Sequence, residues 1–446
     1  MEKYKFPQDF RWGTATSSYQ IEGAYNQDGK GLSIWDTFTH SEGNIYNNDT
    51  GDQACDHYNR YKEDVKLMEK MGINSYRFSI SWPRVLPNGR GEVNKKGLKF
   101  YKNLVDELLK ANIEPVVTFY HWDLPQKLQD EGGWGNRDIV KYFVNYAELI
   151  FDELGDKVKT WITINEPFVV AFHGNSRGDH APGIKNHKVA LQVAHNLLVS
   201  HGEVVKKFRN KNLDGDIGIS LNLTPTYSFT DKKEDVQAAK LLDEYINGWF
   251  LDPIFKGKYP DKLSNIYLKK YGKINKKKND LELINQDIDF LGINYYSRAL
   301  VKYNPELKFY GIETVKRKEN DYTEMDWEIY PDGLYDLLIN INHNYTDIPI
   351  FITENGAAFD DKIINKKIND SKRIKYLYSH FKSAYKALQN GVPLKRYYVW
   401  SLMDNFEWAY GYSKRFGLIY IDYKTKKRFL KDSAYWYKKV IKNNSI

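Results

Sequence analysis

Short apolar runs recur along this chain, and stretches with apolar residues at three- and four-residue spacing lie between them. The runs fall near Phe10–Thr16, Ser75–Trp82, Glu114–Trp122, Thr160–Glu166, Asp216–Leu223, Asp289–Tyr296, Ile348–Glu354 and Arg396–Met403. Several are continuous, as in Pro115-Val116-Val117-Thr118-Phe119-Tyr120. Continuous runs suit strands buried on both faces of a parallel sheet. Between them, Leu98, Tyr101, Leu104, Val105, Leu108 and Leu109 share one helical face over 98–112. Ile139, Phe143, Tyr146, Ile150 and Leu154 do so over 138–154, with Asn136 or Asp138 as N-cap and Gly155 as stop. A third helix runs over about 188–208 through Leu191, Ala194, Leu198 and Val205. Eight strands alternating with helices predict an α/β fold, a single (β/α)8 TIM barrel over 1–446. Long insertions at 171–187, 225–236, 264–288 and 304–326 are expected to wall a pocket at the C-terminal face of the strands.

Composition adds little to the fold and narrows the partners. The 35 Tyr and 11 Trp could stack on the apolar faces of sugars, although large cores also use aromatic rings. The net charge of +8 is small for 446 residues. The densest basic stretch, 269–278, reads as a solvated loop or helix end, and no nucleic-acid motif accompanies it. Cys55 is the only cysteine, which excludes an internal disulfide and is compatible with a reducing cytosol. The start, Met-Glu-Lys-Tyr-Lys-Phe-Pro, has no apolar signal core, and no run of 18 apolar residues is present. A cytoplasmic protein with no membrane span is therefore expected; the oligomeric state stays open.

The chemistry lies in two segments, Thr163-Ile164-Asn165-Glu166-Pro167 and Ile352-Thr353-Glu354-Asn355-Gly356. Each puts a glutamate at the end of an apolar, β-branched run, where a barrel strand meets its catalytic face. Two carboxyls across a pocket are what glycosidic cleavage needs: one holds a proton for the leaving oxygen, the other is ionised. Asn165 and Glu166 are neighbours, so both reach one pocket only if the strand end is bulged or twisted. His195 and His201, six apart, do not share a helix face as metal ligands. No His-Glu-x-x-His or paired-cysteine pattern occurs, so no catalytic metal or cofactor is expected.

From about Phe6 to Tyr437 the chain resembles β-glucosidases of glycoside hydrolase family 1, which share the barrel. The resemblance implies that Glu166 is the general acid/base and Glu354 the nucleophile of a retaining mechanism, with carboxyls roughly 5–5.5 Å apart. The Glu354 charge then keeps Glu166 protonated until the sugar esterifies Glu354, after which Glu166 ionises more easily and serves as base. It implies that Arg77 holds the nucleophile ionised, that Tyr296 hydrogen-bonds it, and that Asn294 supports the site. Gln20, His121, Trp122, Trp400, Glu407 and Trp408 would bind the terminal sugar, and Asn165 its C2 hydroxyl. Trp327 resembles the leaving-group platform, and Phe416 belongs with the substrate-binding set. A non-proline cis peptide at Trp400-Ser401 is also implied. His180, in His-Ala-Pro-Gly, reads as loop structure.

Two positions depart from the family pattern. Arg177 and Asp179 put opposite charges at the rim, read as a local ion pair or else as shaping the leaving-group side. Asp326 stands beside Trp327 where glycine is common. The expected activity is exo-acting release of β-D-glucosyl residues from glucosides and short oligosaccharides such as cellobiose, with galactosidase or fucosidase side activity and transglycosylation. A 6-phospho-β-glucosidase and an inactive sugar-binding barrel are the alternatives. Glu407 separates the first, because a carboxylate would repel a phosphate.

Overall fold

The computed structural model describes residues 4–307 and 310–446. Eight parallel strands close a barrel: β1 Arg11–Ala15, β2 Ser75–Ser79, β3 Glu114–Tyr120, β4 Thr160–Asn165, β5 Asp216–Asn222, β6 Phe290–Asn294, β7 Ile350–Asn355 and β8 Leu394–Trp400. Each pairs with its sequence neighbours, and β1 closes on β8 with Arg11 opposite Arg396 and Ala15 opposite Trp400. All eight sit where apolar runs predicted them. The second ends early: Trp82-Pro83-Arg84-Val85 coils into a helical turn, with Pro83 in its first turn.

Strand alternation divides the apolar residues between two cores. Ala15, Val116, Ile162, Phe290, Phe351 and Tyr398 fill the barrel interior, where the Phe290 and Phe351 rings stack at 4.1 Å. Val117, Phe119 and Trp161 turn outward against the helices. The interior cluster continues upward through Trp400, Met325 and Phe416 to Tyr296 and Trp327, so the barrel core leads directly into the site.

Among the surrounding helices, α1 Lys95–Lys110, α2 Ile139–Leu154 and α3 His187–Asn210 match the predicted amphipathic stretches. Leu109 is a correction: it is 40% exposed, because it lies at the edge of the stripe that Leu104, Val105 and Leu108 bury. Neither predicted cap closes α2 by a side chain; the Asn136 side chain instead accepts from the Asp138 N–H at 3.0 Å. The insertions carry structure of their own. Residues 169–177 form a wide helix, and Thr226–Ser228 joins Ala299–Tyr303 and Ile312–Val315 in a small separate sheet. Asp261–Tyr271 is helical, and the basic run begins at its C-terminal turn. Positions 308 and 309 of the 304–326 insertion, and Met1, Glu2 and Lys3, lie outside the described residues.

Candidate active site

The end of β4 departs from regular alternation, as two inward-facing neighbours require. The pairing of β4 with β5 slips between Ile162 and Asn165, Glu166 takes a left-handed backbone (φ 48°), and its N–H donates to the Ser220 carbonyl at 2.8 Å. Asn165 and Glu166 are both buried and both enter one polar network. Glu354 reaches it past a second irregularity: the pairing of β7 slips between Ile352 and Glu354 against β6 and between Ile352 and Asn355 against β8, so that Thr353 and Glu354 both face inward. The next residue, Asn355, points out, donating to the Tyr295 carbonyl at 2.8 Å and accepting from the Tyr397 hydroxyl at 2.6 Å. Gly356 is required by the closing of the barrel: a Cβ there would lie 1.7 Å from the Trp400 carbonyl oxygen.

Arg77 stands on β2 below the two glutamates and is 1% exposed. It donates to Glu354 Oε1 at 2.7 Å, the Thr353 carbonyl at 3.0 Å, Asn165 Oδ1 at 2.6 Å and Thr118 Oγ1 at 3.2 Å. The Tyr296 hydroxyl donates to Glu354 Oε2 at 2.6 Å. Asn294 Nδ2 donates to Glu166 Oε1 at 2.7 Å and to Asn165 Oδ1 at 3.0 Å. The two carboxyls thus sit in unequal surroundings. Burial, and then the Glu354 charge, push Glu166 up to about 8. Burial also raises Glu354, but the Arg77 charge and the Tyr296 hydroxyl oppose it, which leaves Glu354 as the ionised member. Burial and the Glu354 charge hold the Tyr296 phenol far above its ordinary value, so it remains a donor.

A second group faces these from β3, the β8 end and the loop after it. His121 is buried, and Asn165 Nδ2 lies 3.1 Å from its Nε2. Its ring lies near-parallel to Trp400 and Trp408, at 5.8 and 6.0 Å. Burial, then the Arg77 charge, keep the imidazole neutral. The Trp122 indole packs 4.5 Å from Trp408 and donates to the Asn165 carbonyl at 3.0 Å. The Gln20 side chain donates to the Phe406 carbonyl at 2.8 Å and to Asn405 Oδ1 at 3.0 Å, which ties it to the segment bearing Glu407. Burial, then the Glu354 charge, push Glu407 up to about 8. Glu407 Oε2 and His121 Nδ1 are buried polar atoms without a protein partner among the described residues. Such atoms mark where a polar ligand would be held. The Trp400-Ser401 peptide is cis.

On the opposite side Trp327, Tyr296 and Phe416 form an aromatic wall with centroids 5.1–6.2 Å apart. Asp326 has φ 61°, a conformation glycine adopts without cost, and its carboxylate pairs with Lys316. The expected Arg177–Asp179 ion pair does not form among the described residues. His173 lies between them, with Nδ1 3.1 Å from Asp179 and Nε2 3.3 Å from Arg177. His195 and His201 are structural, bonded to Asp280 and Thr163.

Some residues of the site escaped sequence reasoning. Thr353 and Ser220 contact Asn294 Oδ1 at 2.7 and 2.9 Å and so fix the amide. Lys431, 0% exposed, bonds Asp404 and Asp361 at 2.6 Å each, and Arg415 bonds Asp404 at 2.6 Å. This buried ionic knot anchors the segment that carries Glu407, Trp408 and Phe416. Alternation gave no signal for Thr353, which would turn outward beside an inward Glu354 on a regular strand. Lys431 gave none either, because its partners are remote in sequence.

The model of glycosyl hydrolase family 1 matches residues 2–446. A curated relative, β-glucosidase A of Acetivibrio thermocellus, is 54% identical, with all of both chains covered. A 6-phospho-β-galactosidase of Clostridium acetobutylicum is 44% identical over 98% of this chain and 96% of its own. The solved β-glucosidase of Thermotoga maritima in complex with deoxynojirimycin superposes with a TM-score of 0.96 at 50% identity, covering 99% of this chain and all of that one.

Proposed function

The chain belongs to glycosyl hydrolase family 1, and from that premise we propose that it is a retaining, exo-acting β-glucosidase with Glu354 as nucleophile and Glu166 as general acid/base. The observation that carries this reading is the inequality of the two buried carboxyls. Glu354 receives a guanidinium and a phenol, whereas Glu166 receives one amide N–H. An ionised Glu354 attacks the anomeric carbon while Glu166 protonates the leaving oxygen, and the sugar becomes an ester of Glu354. That ester carries no charge, so Glu166 loses the repulsion that raised it and can take a proton from water. Water then displaces the sugar with a second inversion, which restores the original configuration.

Gln20, His121, Trp122, Trp400, Glu407 and Trp408 hold the terminal sugar in this reading, Asn165 its C2 hydroxyl, and Trp327 with Phe416 the leaving group. Arg77, Asn294 and Tyr296 position the carboxyls. The unpartnered Glu407 Oε2 and His121 Nδ1 suit one accepting and one donating contact to neutral hydroxyls. Residues 1–446 act as one catalytic unit without a cofactor. The single buried Cys55 suits a reducing cytoplasm.

The 44% identity to a phospho-galactosidase supports a second reading, action on 6-phosphates. It is disfavoured because a phosphate would meet Glu407 beside the charged Glu354. Lys414 and Arg415 are already engaged, by the Glu324 carbonyl and by Asp404. An inactive sugar-binding barrel is disfavoured by both carboxyls retaining their partners. The test is kcat/KM on an aryl β-glucoside and its 6-phosphate, with Glu354→Gln as control. Turnover of the plain glucoside that the variant loses supports the proposal. Preference for the phosphate overturns the substrate class, and turnover of neither overturns the activity.

A further inference from the structure

Outside the carboxyl pair, one cluster at the rim has the composition and spacing of a cation site. His173, on the wide helix that follows Glu166, and Asp179 and His180, on the turn after it, bring their ligating atoms within 4.8 Å of one another. His173 Nδ1 lies 3.1 and 3.2 Å from the two Asp179 oxygens, and His180 Nδ1 lies 3.5 Å from Asp179 Oδ1. Tetrahedral coordination with bonds of about 2.0–2.1 Å sets ligand atoms about 3.3 Å apart. His180 Nδ1 is a buried nitrogen without a hydrogen-bond partner among the described residues. The Asp179 side chain is 49% exposed, which gives an ion a path in. We propose that His173, Asp179 and His180 bind one divalent cation of the borderline-soft class, Zn2+ by preference, with water completing the shell.

Two imidazoles and one carboxylate favour Zn2+ and Cu2+ over Mg2+ and Ca2+, which take all-oxygen shells. The site contains neither catalytic carboxyl, although the His180 ring packs edge-on against Trp122 at 5.8 Å. Arg177 works against it in two ways. Its charge repels a cation, and its 3.3 Å bond to His173 Nε2 leaves the imidazole proton on Nδ1, the atom the metal needs. Arg177 is exposed and can turn aside.

Calorimetric titration of ZnCl2 into chelator-treated full chain without a histidine tag tests this. The expected result is one ion per chain that excess Mg2+ does not displace. Asp179→Asn and His180→Gln each weaken binding at least about tenfold, the lower end of what even an outer-shell partner is worth. Arg177→Ala strengthens it. Absence of saturable binding, displacement by Mg2+, or unchanged affinity in both weakening variants would overturn the site. The exposed Asp179→Asn keeps the test decisive if His180→Gln, next to the turn at Ala181-Pro182, melts below the parent.

Discussion

Tyr296→Phe isolates one of the two interactions that keep the nucleophile ionised. It removes a hydroxyl and leaves the ring in place against Trp327 and Phe416, at 5.1 and 6.2 Å. The lost bond is 2.6 Å long, buried, and made to a charged carboxylate. Such a bond contributes about 1.5–3 kcal/mol. Since about 1.36 kcal/mol corresponds to one pKa unit, Glu354 should rise by about one to two units. The sign follows from the chemistry: attack needs the ionised form, so a higher pKa moves the acidic limb of the kcat/KM profile to higher pH. On that limb activity should fall about 10- to 100-fold. The basic limb, set by deprotonation of Glu166, should move little, because Glu354 is ionised there in both proteins. The assay is a pH series of kcat/KM on an aryl β-glucoside, with thermal melting to verify the fold. An acidic limb that stays in place, with activity lowered equally at every pH, would refute the assignment of Tyr296 to the nucleophile's charge.

Glu166→Gln should keep the first step for aryl glucosides with good leaving groups and lose it for cellobiose; rapid quench of the first turnover distinguishes this from equal loss on both. The unfolded Glu407 carboxyl ionises near 4.5 and the folded one near 8, so the unfolded chain binds fewer protons in that window and stability falls as pH rises through it. Glu407→Gln should therefore raise the melting temperature relative to the parent above that window and not below it, and an equal difference at both ends would count against the raised carboxyl. Lys431→Met leaves Asp361 and Asp404 short of a buried cation and should cost about 3–5 kcal/mol in urea unfolding. Arg373 and Arg415 remain as partners, which favours the lower end, and a near-neutral result would remove Lys431 from the anchoring of the Glu407 segment.

The barrel was legible because its strands are apolar on both faces, and the glutamates because each ends such a run. The bulge at Asn165 and Glu166 could be inferred from adjacency alone: two neighbours cannot face one pocket on a regular strand. Other features arise only from three-dimensional packing. Leu109 lies within the apolar pattern but at the edge of the buried stripe, a difference of angle that periodicity does not resolve. The Arg177–Asp179 reading failed because opposite charges two residues apart invite an ion pair, while the turn between them places His173 there instead. The structured insertions and the Lys431 knot depend on contacts between distant segments, which local pattern does not encode.

The donor-only guanidinium of Arg77 determines where protons reside through the neighbouring amides, His121 and Glu166. A guanidinium only donates, so the Asn165 atom 2.6 Å from it must be oxygen, and the amide nitrogen of Asn165 faces His121. His121 must accept on Nε2 and, being neutral, carries its hydrogen on Nδ1. Asn294 must likewise turn its nitrogen toward Asn165 Oδ1, and that same nitrogen reaches Glu166 Oε1. With Oε1 accepting, the acidic hydrogen of Glu166 belongs on Oε2. One guanidinium thus dictates two amide orientations, one imidazole tautomer and the reactive edge of the acid. Neutron diffraction would read all four from a single map.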